Sequence, residues 1–92
     1  MKFTISHKRA ISGNDIKVVV EREGQQVISQ VETRLDVAPL GNDQLNPPSV
    51  IYTRQFGQAG TAGPGQEHTL IVTAYDEERN PQSATYKWRD ER

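Results

Sequence analysis

"HTLIVTAYDEERNPQSATYKW", residues 68–88, is the stretch on which the fold turns. Leu70, Val72 and Ala74 alternate with Thr69, Ile71, Thr73 and Tyr75. After a polar break, Ala84, Tyr86 and Trp88 alternate in the same way with Ser83, Thr85 and Lys87. Successive side chains of a strand point to opposite faces, so each run places three apolar residues on one side of a sheet. "DEERN", residues 76–80, has the composition of a reversal. Asp76 is expected to accept its amide hydrogens, as aspartate does at the head of turns. Two neighbouring antiparallel strands follow, and Leu70, Val72, Tyr86 and Trp88 are expected in one core.

The same period of two recurs outward from this pair, and no window sustains the spacing of an amphipathic helix. Residues 2–7 alternate Phe3 and Ile5 with polar residues, and residues 16–22 place Ile16, Val18 and Val20 on one face. "EGQ", residues 23–25, reads as a tight hairpin turn. Residues 26–36 follow, with Val27, Val31 and Leu35 sharing a face with Ser29 and Thr33. "APLGNDQLNPPS", residues 38–49, holds three prolines and a glycine and reads as irregular, with at most a short strand, because proline removes ladder donors. Residues 50–56 place Val50, Tyr52 and Phe56 on one side. Many short strands broken by turns predict an all-β, immunoglobulin-like β-sandwich with Greek-key connections and six to seven strands, one domain over residues 1–92.

Four glycines stand at positions 57–65. A phosphate-cradling loop needs Gly-x-x-x-x-Gly-Lys-Ser/Thr leading into a helix. Here there is no lysine, and a strand follows. Residues 57–66 therefore read as a mobile crossover connection in which glycine supplies positive φ.

Composition narrows the function further. Eleven basic and twelve acidic residues give a formal net charge of −1, without the basic stripe that nucleic acid favours. No apolar run is long enough for a transmembrane helix. The first fifteen residues lack the apolar centre of a secretory signal. The compartment is cytoplasmic by default, and extracellular if a leader was removed. The chain has no cysteine, so disulfides, thiolate metal sites and a cysteine nucleophile are excluded.

His7 and His68 are the two histidines, far apart in sequence, and no metal site is expected of them, since zinc takes at least three protein ligands. The acids of residues 76–78 lack EF-hand spacing, and Asp36 or Asp43 would have to help them hold calcium. No serine sits in a nucleophile elbow. No catalytic or cofactor-binding residue is expected, and the chain reads as no enzyme. Tyr52, Tyr75, Tyr86 and Trp88 raise a sugar-stacking platform, which the inward phase of Tyr86 and Trp88 opposes. Ile71 and Tyr75 project from the outer face of their strand and are the candidate protein-contact residues.

Gly65, His68, Thr69, Leu70, Val72, Ala74, Asp76 and Asn80 together resemble the C-terminal half of bacterial immunoglobulin-like domains. The earlier "VISQVETRLD" resembles that family's middle strand, which ends in Asp-Gly. This chain departs from the pattern twice, with Val37 after Asp36 and with Arg79 where glycine precedes the asparagine. The resemblance implies the sandwich fold, with His68 in a structural position at its edge. It leads to a non-catalytic binding or structural module meeting a partner protein or a second copy. A carbohydrate-binding accessory domain is the alternative.

Overall fold

A computed structural model describes residues 1–11, 13–59 and 65–90. Seven strands succeed one another: β1 (Lys2–Arg9), β2 (Asn14–Glu21), β3 (Ile28–Leu35), β4 (Ala38–Ser49), β5 (Ile51–Ala59), β6 (Glu67–Tyr75) and β7 (Pro81–Arg89). They form two antiparallel sheets, one of order β1-β2-β5 and one of order β4-β3-β6-β7. Among the described residues there is no helix, and so none long and apolar enough to cross a membrane.

The central strands carry the core. From β2 come Ile16, Val18 and Val20, and from β6 come Leu70, Val72 and Ala74, all buried. Val31 and Leu35 of β3, Tyr52 and Phe56 of β5, and Trp88 of β7 fill the space between the sheets. The register of β6 with β7 sets His68 opposite Trp88, Leu70 opposite Tyr86 and Val72 opposite Ala84, as the inward triplets require. Tyr86 is less enclosed than expected; it packs against the core while only partly buried. β7 is an edge strand, and one flank of its inward row stays open to β1 and solvent.

Four expectations are corrected. Residues 38–49 form a twelve-residue strand rather than irregular chain. β4 is an edge strand pairing only with β3, so a missing proline donor can face outward without breaking a ladder. Its pairing is interrupted near Pro39 and across residues 45–48. The turn at Gly24 is no hairpin, because β2 and β3 belong to different sheets and the chain crosses between them there. In β3 the buried residue is Ile28 and not Val27, because the register slips between Ile28 and Gln30. Val50 stands half exposed where the chain passes from β4 to β5.

Residues 57–59, read as the start of a mobile loop, complete β5. The register slips between Asn14 and Ile16, and Gln58 takes a positive φ with its amide donating to Asp15 Oδ1 at 3.1 Å. That bulge lets Phe56 and Ala59 both face the core. At the far side, Gly65 N–H donates to Asp90 and Asp90 N–H to Gln66. The rest of the predicted connection, residues 60–64, lies outside the described residues.

Both departures from the family pattern fall on left-handed backbone. Leu35 pairs with Ala38, so Asp36 and Val37 alone make the β3–β4 turn, at φ 50° and 64°. A two-residue hairpin of this kind needs positive φ at both positions, and Asp-Gly is its favoured sequence. A β-branched residue there is strained by about 1–2 kcal/mol. Val37 is 89% exposed, so its side chain returns little packing energy. Val37→Gly is expected to stabilise the domain by about 1 kcal/mol, raising the melting temperature by roughly 4–8 °C. Arg79 sits at φ 67°, but its guanidinium lies 5.2 Å from the centre of the Tyr75 ring. Arg79→Gly should therefore gain less, and paired thermal melts would check the order.

Candidate functional site

The densest polar cluster forms around His68. It shares the phase of Leu70 and Val72, so its ring points into the sandwich and is 1% exposed. Nδ1 lies 2.7 Å from Asp36 Oδ2, and Nε2 lies 2.9 Å from Asp90 Oδ2. Asp36 comes from the β3–β4 turn, and its Oδ1 also accepts the Thr69 amide at 2.8 Å. Asp90 follows β7 and is buried. Burial pushes the imidazole pKa down, but hydrogen bonds from the ring to Asp36 and Asp90, with the attraction of their charges, hold it above its ordinary value. An imidazolium donating from both nitrogens matches this geometry, since a carboxylate can only accept. With both nitrogens so engaged, neither keeps a lone pair to take a proton from a substrate, as a general base must.

Trp88 lies between two histidines. The His7 ring stacks on it at 4.8 Å between centroids, and the His68 ring tilts against it at 5.0 Å. His7 Nδ1 is 2.7 Å from the Tyr86 hydroxyl. These contacts join β1 to β7, the edge strands of the two sheets on that flank. At 9% exposure the indole offers no open face for a sugar ring.

The opposite flank is joined by Asp43 of β4 with Tyr52 and Arg54 of β5. The Tyr52 hydroxyl donates to Asp43 Oδ2 at 2.5 Å, and Arg54 reaches both carboxylate oxygens at 2.8–2.9 Å. Burial resists the charge on Asp43, but the Tyr52 and Arg54 hydrogen bonds win and hold its carboxyl below the usual range. Burial and Asp43 together raise the Tyr52 phenol. A Cβ at Gly41 would stand 2.8 Å from the Arg54 guanidinium and 3.0 Å from the Phe56 ring, so a side chain there would have to displace the arginine and press on the ring. The cluster is a brace between sheets.

Asp76 takes the turn role read from the sequence. Its Oδ1 accepts the amides of Glu78 and Asn80 at 2.9 Å, and these bonds, led by Asn80, lower its pKa. Asp36 and Asp43, the residues named as helpers for calcium, are bonded to other side chains at other places in the fold.

Ile71 lies on the outer face of β6 at 38% exposure, between Arg34 of β3 and Thr85 of β7. Tyr75 is on the same face but partly buried, with Arg79 over its ring. The sequence reading missed the partners of His68. A signal was there: His68 is in phase with the buried residues of β6, and Asp90 is in phase with Trp88. A buried imidazole needs such partners.

No protein-family profile matches the chain, and no curated protein sequence matches it. A solved structure of fibronectin(III)-like modules of Clostridium thermocellum CbhA is similar over 96% of this chain and 97% of its own, at 21% identity and a TM-score of 0.52. At that identity the likeness is one of fold, and it agrees with two sheets of three and four strands. This chain is an immunoglobulin-like β-sandwich, similar in fold to a fibronectin(III)-like module.

Proposed function

We propose that this domain is a non-catalytic module that mediates protein–protein contact or assembly, meeting a second copy or another protein through the outer face of β6. The observation that carries this reading is the state of His68. The cluster most like an active site has both ring nitrogens bound to carboxylates, and it ties the β3–β4 turn and the end of β7 to β6. Its work is to hold the fold. The surface then becomes the working part, and Ile71 is a β-branched apolar residue that shares its face with the partly buried Tyr75 and has Glu32, Arg34, Thr69, Thr73, Ser83, Thr85 and Lys87 around it. An apolar group amid polar neighbours is the composition of a small contact patch.

The test replaces Ile71 and Tyr75 together with serine. The double variant should keep its strand circular dichroism and cooperative melting. It should lose the concentration-dependent self-association, or the capture of the native partner, that the wild-type domain gives. Unchanged association in both assays would remove β6 as the contact face. Collapse of the fold would make the two residues core.

A further inference from the structure

Each sheet has two edge strands, β1 and β5 in one and β4 and β7 in the other. Natural sheets blunt such edges with lysine, proline or a bulge, because their free amides and carbonyls can accept another strand. β1 carries Lys2, Lys8 and Arg9, β4 carries Pro39, Pro47 and Pro48, and β7 carries Pro81, Lys87 and Arg89. β5 has no lysine and no proline, and its bulge lies beyond Phe56. Its one charge, Arg54, is turned inward, where Nη1 reaches both oxygens of Asp43. One hydrogen bond fixes where the β5 peptide groups point: the Arg22 amide donates to the Val50 carbonyl at 3.0 Å. Bonded pairs alternate along an antiparallel ladder, so Tyr52, Arg54 and Phe56 direct their amides and carbonyls at β2. Ile51, Thr53 and Gln55 direct theirs at the open edge. Ser49 agrees with that parity, since its hydroxyl donates to the Ile51 carbonyl at 2.8 Å and accepts the Ile51 amide at 3.3 Å. Thr53 and Gln55 have no such cap, and their backbone groups find no partner among the described residues.

We propose that β5 pairs antiparallel with β5 of a second copy, Thr53 of each opposite Gln55 of the other, which joins their β1-β2-β5 sheets into one. This register uses what the edge leaves open. Thr53 and Gln55 of each copy exchange amides and carbonyls with Gln55 and Thr53 of the other, and the Ser49 cap on Ile51 stays in place. A strand complementary to itself gives a closed twofold pair rather than an open fibre. On the outer face, Ile51, 49% exposed, then stands opposite Gly57 of the second copy. A Cβ at Gly57 would meet only Asp15 Oδ1, at 3.8 Å, so there is room at that position for a neighbour's side chain. Arg54 meets its counterpart on the twofold axis. Like charges facing each other oppose pairing, but Asp43 answers the charge within each copy. Setting Thr53 opposite Thr53 instead would require Ile51 to give up Ser49 and would leave Gly57 uncovered.

Sedimentation equilibrium of the full chain at concentrations up to about 1 mM would measure the pairing, and amide hydrogen exchange at low and high concentration would locate it. A monomer–dimer equilibrium is expected. The Thr53 and Gln55 amides should gain protection as concentration rises, whereas those of Tyr52 and Arg54, bonded to β2, should be protected throughout. Thr53→Pro removes an edge donor and leaves the β2 ladder intact. It acts twice across a twofold axis and should weaken the dimer by about tenfold or more. Ile51→Lys changes an exposed side chain alone and should weaken it in the same direction, so the test does not depend on the proline variant folding. The proposal is overturned if the chain stays monomeric throughout, if a dimer forms without protecting Thr53 and Gln55, or if the folded variants dimerise as the wild type does. The domain with serine at positions 71 and 75 should still pair through β5, so the contact-face proposal on the other sheet stands or falls separately.

Discussion

Replacing His68 with glutamine is expected to destabilise the domain by about 3 kcal/mol, because it leaves two carboxylates facing a site that no longer carries a cation. Asp90 dominates this loss, since its side chain is 2% exposed, whereas Asp36 is 40% exposed and water screens it. The pH dependence has a definite sign. The folded pKa of His68 is raised above the unfolded value of about 6.5, so its contribution is complete below that value. It is lost as pH rises through the raised folded pKa. Wild-type stability in urea should decline as pH rises from the unfolded value through the raised folded one, and the His68→Gln domain should lack this part of the slope. A variant that melts and titrates like the wild type would show that the imidazole is not charged in the fold.

Leu70→Ala is the second large effect, a loss of about 2–5 kcal/mol. Leu70 is fully buried, opposite Leu35 of β3 and Tyr86 of β7, on the central strand β6. Thr69→Ala, one residue away on the outer face, should lie within about 0.5 kcal/mol of the wild type. Chemical denaturation of the two variants tests the strand phase directly, and equal small losses would put β6 out of register by one residue.

The phase of β2 and β6 was readable because each is flanked by strands on both sides and keeps strict alternation: Ile16, Val18 and Val20, then Leu70, Val72 and Ala74. β4 was hidden by Pro39, Pro47 and Pro48, which an edge strand tolerates and a central one does not. The placement of Ile28 depended on a register slip that no local pattern announces. The turn at Gly24 signalled a reversal, but its chemistry is the same whether the next strand pairs or crosses to the other sheet. At the candidate site, the inward aim of His68 and Trp88 followed from parity. The partnership of His68 with Asp36 and Asp90 spans separations of 32 and 22 residues and arises only when the turn, β6 and the end of β7 meet. His7 met Trp88 for the same reason, across the flank that closes β1 on β7.

That flank also determines how the domain answers a pull. The Met1 amino group donates to Gln82 at the start of β7, and His7 lies against Trp88 near its end, so β1 and β7 run in the same direction. Met1 and Asp90 therefore stand toward opposite ends of a body 43 Å long and less than 20 Å across. Tension applied through these residues draws β1 lengthwise along β2, loading all eight residue pairs of their ladder together instead of opening them one after another. The His7–Trp88 stack and the bond from Met1 to Gln82 lie along the same line of force and resist the same slide.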